Sequence, residues 1–173
     1  MLKIVKHNEI YGAIFTEIIP SAKKYIWIAT ADIKDLHIKR GRKMIPFLDI
    51  LANKIKAGIL VRLIHSKEPG PQFRKDFDRN PALIDGLERM LCPRNHMKLI
   101  IVDGVTAFMG SANLTGAGMG MKSANRRNFE TGIVTDDKKQ VKELADIFDE
   151  LWMGKHCKIC GRKEFCGDGI WEG

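Results

Sequence analysis

The stretch HMKLIIVDG, His96–Gly104, decides how the rest of the chain is read. Leu99, Ile100, Ile101 and Val102 make an apolar, largely β-branched run, which suits a strand buried on both faces. Asp103-Gly104 is a strong two-residue turn signal, so a second strand is expected to return from about Thr106. A histidine and a lysine at the open end of such a hairpin call for a reason. Side chains alternate along a strand, so His96, Lys98, Ile100 and Val102 share one face, and Met97, Leu99 and Ile101 the other. A two-residue turn predicts that Val102 faces Val105, Ile100 faces Ala107 and His96 faces Ser111. Asn113 returns to the same side if the strand stays extended.

On that register His96, Lys98, Ser111 and Asn113 converge. They offer one nucleophile or base, one fixed cation and two hydrogen-bonding groups, a set that suits an anionic, oxygen-rich group such as a phosphodiester. Gly110 permits close approach of backbone or ligand. Taken singly, a His-x-Lys at a strand end is usually a solvated terminus, and Asp-Gly is simply a turn. Their coincidence in one hairpin gives the reading its weight.

His96-x-Lys98-x4-Asp103-Gly104, followed by Gly110-Ser111-x-Asn113, resembles the HKD motif of the phospholipase D superfamily. The resemblance implies a phospholipase D-like α/β fold and a reaction in which the motif histidine attacks phosphorus. A histidine from a second motif copy would protonate the leaving oxygen and then activate water. This chain has one copy: His7, His37, His65 and His156 lack the accompanying lysine and Gly-Ser-x-Asn. It therefore resembles the single-motif, nuclease-like branch, in which a homodimer builds one site across a two-fold axis. The family's downstream acid matches Glu130, which would orient His96 through its other ring nitrogen. Lys98, Asn113 and Ser111 would stabilise the phosphoryl oxygens, with no metal or other cofactor needed for catalysis. Asp103 falls at the turn, away from His96, and is assigned a structural role.

Lys+Arg outnumber Asp+Glu by 29 to 21, a net charge of +8 that suits an anionic partner such as nucleic acid or a membrane surface. Two basic runs are candidate phosphate contacts: Lys39, Arg40, Arg42 and Lys43, and Lys122, Arg126 and Arg127. A metal-independent endonuclease acting on DNA or RNA is the expected activity. Two alternatives stand beside it. One is a phospholipase or phosphatidyl transferase, for which Met109, Met119 and Met121 could line an apolar entrance. The other is a catalytically idle module that binds nucleic acid.

Around the hairpin, helix-like and strand-like segments alternate, which indicates a mixed β-sheet flanked by helices. Helical spacing covers residues 8–23 and 45–57. It also covers 72–89 with a break at Pro81, and a last helix capped by Asp136 or Asp137 with a stripe of Val141, Leu144, Phe148, Leu151 and Trp152. Strands are expected at 25–30, 59–65, 97–102, 106–109 and 129–135. The start has no signal-like apolar run and no stretch is long enough to span a bilayer, so a cytoplasmic protein is expected. Residues 1–153 read as the catalytic domain and 154–173 as a short Cys-rich C-terminal appendix. There Cys157-x2-Cys160 and Cys166 suit a structural zinc knuckle, with His156, Asp168, Cys92 or a partner residue as the fourth ligand.

Overall fold

The computed structural model describes residues 1–34 and 36–167. Among these, seven strands form one mixed sheet: β1 (Leu2–Lys6), β2 (Tyr25–Thr30), β5 (Leu60–His65), β6 (Leu87–Leu91), β7 (Leu99–Val102), β8 (Thr106–Gly110) and β9 (Thr131–Thr135). Their spatial order is β1-β9-β8-β7-β2-β5-β6. The strands β2, β5 and β6 run parallel, and every pairing from β2 through β7 to β1 is antiparallel. A separate hairpin joins β3 (His37–Arg40) to β4 (Lys43–Pro46).

Alternation along β2 divides the core in two. Ile26 and Ile28 point to one face, where they meet Val61, Leu63, Ile100, Val102 and Phe108 beneath the helices α1 (Asn8–Gly12), α2 (Ile19–Ser21) and α3 (Phe47–Lys56). Trp27 and Ala29 point to the other, which α6 (Lys138–Trp152) covers with Val141 and Phe148. The Phe148 ring stacks between Trp27 at 5.0 Å and Trp152 at 6.0 Å, and Arg62 lies over both tryptophans. Asp137 caps α6, its carboxylate accepting from Gln140 N–H at 3.0 Å. The expected stripe on this helix is the one that packs.

Residues 8–21 depart from a plain α-helix. Between α1 and α2 lies a π-helical stretch, Ala13–Ile18, in which Ile19 N–H reaches Ile14 C=O, five residues back. Pro20 gives the reason. It has no N–H for the Thr16 carbonyl and its ring crowds that carbonyl, so the helix widens by one residue ahead of it.

Four strands went unforeseen. β1 is short, β3 lies in the basic run, and β4 runs from the end of that run into the start of the segment expected to be helical from residue 45. β6 occupies the end of the segment expected to be helical to residue 89. That segment instead forms α4 (Pro71–Asp78) and α5 (Pro81–Gly86) before turning at Gly86 into the sheet.

The hairpin register also differs from the expected one. Asp103 and Gly104 form the tight turn, both with positive φ (56° and 65°), and Val105 N–H donates to Val102 C=O at 3.0 Å. Val105 is then one extra, exposed residue, so Val102 pairs with Thr106, Ile101 with Ala107 and Ile100 with Phe108. The offset continues past the strand, where Gly110 N–H donates to Lys98 C=O at 3.1 Å. Gly110, not Ser111, stands opposite Lys98, and the expected pairing of His96 with Ser111 does not form. Among the described residues no helix is long and apolar enough to cross a membrane.

Candidate active site

One end of the sheet collects the candidate residues. The parallel strands β2, β5 and β6 finish there, β8 finishes beside them, and β7 and β9 begin there. Ligand sites favour the carboxyl ends of parallel strands, where loops meet without having to continue the ladder.

His96 is exposed, two residues before the half-buried Lys98. Lys98 Nζ stands 3.2 Å from each ring nitrogen of His96 and donates to its carbonyl oxygen at 2.9 Å. Burial lowers the Lys98 pKa from its ordinary value, and the negative charge of Glu130 partly opposes that shift. The segment carrying this pair is anchored by Asn95, which is 3% exposed. Its amide donates to the Thr30 carbonyl at 3.0 Å and the Ile64 carbonyl at 3.3 Å, and its oxygen accepts from Met97 N–H at 3.1 Å. Asn95 thus ties the ends of β2 and β5 to the loop that presents His96. A buried amide next to the motif histidine was the available signal, and sequence reasoning passed over it.

Asn113 lies where the chain leaves β8. Its oxygen accepts from Asp32 N–H at 3.1 Å and from the Thr30 hydroxyl at 3.4 Å, which leaves the amide NH2 as the donating end. The glycine-rich loop folds back on it: a Cβ at Gly118 would come within 2.5 Å of the Asn113 carbonyl oxygen.

Glu130 is 9% exposed at the start of β9. Its carboxylate accepts from the Ser111 hydroxyl in a short hydrogen bond and from the Asn128 amide at 3.0 Å. Ser111 and Thr131 also bridge, Ser111 N–H donating to Thr131 C=O at 3.0 Å and Thr131 N–H to the Ser111 hydroxyl at 3.1 Å. Gly110 makes this approach possible, because a Cβ there would sit 2.5 Å from Thr131 O. Glu130 was expected to hold His96. Among the described hydrogen bonds its partners are Ser111 and Asn128, so Ser111 joins the site through the acid rather than by facing His96. His7, a residue with positive φ (50°) between β1 and α1, accepts from Glu130 N–H at 3.3 Å and backs the acid.

The basic runs separate. Lys122 and Arg126 are exposed and Arg127 is half-buried, all three in the loop that joins Asn113 to Glu130. Lys39, Arg40, Arg42 and Lys43 lie on the β3–β4 hairpin. Arg40 lines a hollow with Pro20 and Lys54, and Lys54 donates to the Pro20 and Ala22 carbonyls just ahead of β2. That is the end of the sheet opposite His96, so the tip of this run does not join the other candidates. Met119 is fully buried and Met121 packs against the core, so of the three methionines Met109 alone is exposed.

In the tail, His156 Nε2 points to Glu150, 3.5 Å away. Among the described residues no three His, Cys, Asp or Glu side chains stand together as a formed metal centre. Asp168 lies outside the described residues.

The family model for the cardiolipin synthase, PLD-like domain matches residues 15–152. No curated protein matches the sequence. Among solved structures, NucT from Helicobacter pylori superposes with a TM-score of 0.63 at 19% identity, covering 88% of this chain and 97% of its own. Nuc from Salmonella typhimurium, a phospholipase D family member, superposes at 0.61 and 19% identity, covering 88% and 94%. TrmBL2, an archaeal chromatin protein whose structure shows a mode of DNA binding, superposes at 0.60 and 17% identity over 88% of this chain and 52% of its own. These likenesses concern the fold. The family match extends over most of the chain and takes in His96, Lys98, Ser111, Asn113 and Glu130, and with it the chain belongs to the PLD-like domain family.

Proposed function

We propose that this protein is a metal-independent phosphodiesterase that cleaves nucleic acid, in a site shared by two copies of the chain. The observation that carries the reading is the exposed His96 with Lys98 Nζ 3.2 Å from its ring, at the sheet end that also holds Asn113. A ring nitrogen of one His96 attacks phosphorus. The phosphorus–oxygen bond to the leaving group breaks, and His96 of the partner subunit gives that oxygen its proton. The second histidine then takes a proton from water, the water oxygen attacks phosphorus, and the phosphorus–nitrogen bond breaks. One histidine must start neutral and the other protonated. Lys98 and the Asn113 amide from both copies supply the charge and donors that a metal would otherwise bring. The net charge of +8, the cations at 122, 126 and 127 and the fold shared with TrmBL2, whose structure shows DNA binding, favour nucleic acid over lipid.

A second reading, phosphatidyl transfer, is favoured by the description of the matched family and by Phe129, which is 92% exposed beside Glu130. One assay series separates the two. DNA, RNA and phospholipid vesicles are each incubated with the protein in the presence of a chelator. Cleavage of an oligonucleotide by the natural chain and none by His96→Ala is expected. Strict dependence on added Mg²⁺, or retained activity in His96→Ala, overturns the mechanism. Turnover of lipid alone transfers the same chemistry to the second reading.

A further inference from the structure

Three cysteines cluster in the tail, and the chain's fourth, Cys92, lies 65 positions earlier than Cys157. Cys92 follows the last residue of β6. The tail folds back onto this point. Cys166 Sγ contacts the Leu91 carbonyl oxygen at 3.7 Å, and Gly167 lies so close that a Cβ there would sit 2.9 Å from Leu91 Cδ2. Cys157 and Cys160 lie on one tight turn, with Cys160 N–H donating to Cys157 C=O at 3.1 Å. The Arg94 side chain, two residues after Cys92, hydrogen-bonds the Cys160 sulfur. The tail thus touches the chain on both sides of Cys92.

Charge points the same way. Four thiolates around a divalent ion carry a net charge of about −2, and Arg94 and Lys163 lie beside the group to offset it. His156 is directed at Glu150 on α6 instead.

We propose that Cys92, Cys157, Cys160 and Cys166 bind one zinc ion as a four-sulfur structural site that fastens the tail to the loop leading into His96. A set of four sulfur ligands selects zinc or iron among common ions, and a Cys-x2-Cys turn is the usual half of a zinc knuckle. The turns are already formed, and the thiol side chains close on the ion when it binds. The ion has no part in bond cleavage. It stands at a fixed distance along the chain from Asn95 and His96, so it steadies the loop that presents the nucleophile. This inference does not depend on the reaction assigned to His96.

The test is elemental analysis of the full chain purified under reducing conditions, with zinc as the probe. About one zinc per chain is expected. Cys92→Ser should lose it as completely as Cys157→Ser, while His156→Ala keeps it. Cobalt replacing zinc in the natural protein should give tetrahedral bands with thiolate charge transfer, a readout that needs no variant to fold. Retention of about one zinc per chain in Cys92→Ser overturns the assignment of the fourth ligand. Metal-free protein with all four thiols reactive, a disulfide found by mass spectrometry, or iron in place of zinc overturns the site as proposed.

Discussion

Asp103 bears the motif's acid and stands at the far end of the sheet from His96. Its carboxylate accepts the backbone N–H groups of Lys23, Lys24 and Tyr25, each at 2.8 Å, while its own N–H donates to Tyr25 C=O at 3.1 Å. It seals the start of β2 and fixes the hairpin turn. Burial raises its pKa, but the three backbone donors and the charge of Lys24 outweigh that, and the net shift is downward. A depressed folded pKa gives stability that is fully present above the unfolded value, about 4, and is lost as pH falls through the lower folded value. Asp103→Asn should therefore flatten the acid limb of a stability-against-pH curve followed by circular dichroism. Asp103→Ala, which strands three donors, should cost about 3 kcal/mol or more in urea unfolding at pH 7. Its effect on turnover should track the folded fraction, whereas His96→Ala and Lys98→Ala should abolish or severely reduce turnover in protein that unfolds normally. At this scale the motif named the candidate residues. The partners of Glu130 and the anchoring by Asn95 were not, because a hydrogen bond between loops depends on how those loops meet and leaves no period in the sequence.

The elements that reading found easily are those with a strong local pattern: β2, β7 and β8, whose apolar residues run unbroken, and α6, whose stripe repeats at helical spacing. β1 and β6 are five residues each, and their partners lie far along the chain, so pairing rather than propensity makes them strands. The hairpin turned on one residue. Asp-Gly correctly marked a tight turn, but nothing local announces that Val105 is skipped before pairing resumes. Because Val105 is 62% exposed and lies outside the ladder, deleting it leaves Val102 opposite Thr106. The shortened hairpin should fold with a stability change of about 1 kcal/mol or less, and amide exchange should find the same residues protected. Gly110→Ala should behave otherwise. The added methyl meets Thr131 O at 2.5 Å and Gly132 Cα at 2.8 Å, so β8 and β9 must part. A loss of about 1–3 kcal/mol is expected, with activity falling further than stability as Ser111 draws away from Glu130.

On the proposed mechanism a single copy of the motif makes half a reaction centre, so the whole working molecule is expected to be two chains. Sedimentation should find twice the 19.6 kDa chain mass. Mixing equal amounts of natural and His96→Ala protein, after subunit exchange, should leave about a quarter of the activity of the same total of natural protein rather than about a half, because one shared site needs both histidines. Nucleic-acid binding should weaken steeply with salt, since phosphate contacts release counterions. The sheet order has a different consequence, in time rather than space. β1 is an edge strand whose partner in the sheet is β9, and Lys6 meets Thr131 about 125 residues later. At a synthesis rate of roughly 5–20 residues per second, the first strand waits on the order of 6–25 seconds before its partner has been made. During that wait Leu2, Ile4 and Val5 leave the ribosome with no ladder to join. The nascent chain is then an open strand in search of an edge, and a message truncated before Thr131 should yield a product that clumps or is held by chaperones rather than one that folds.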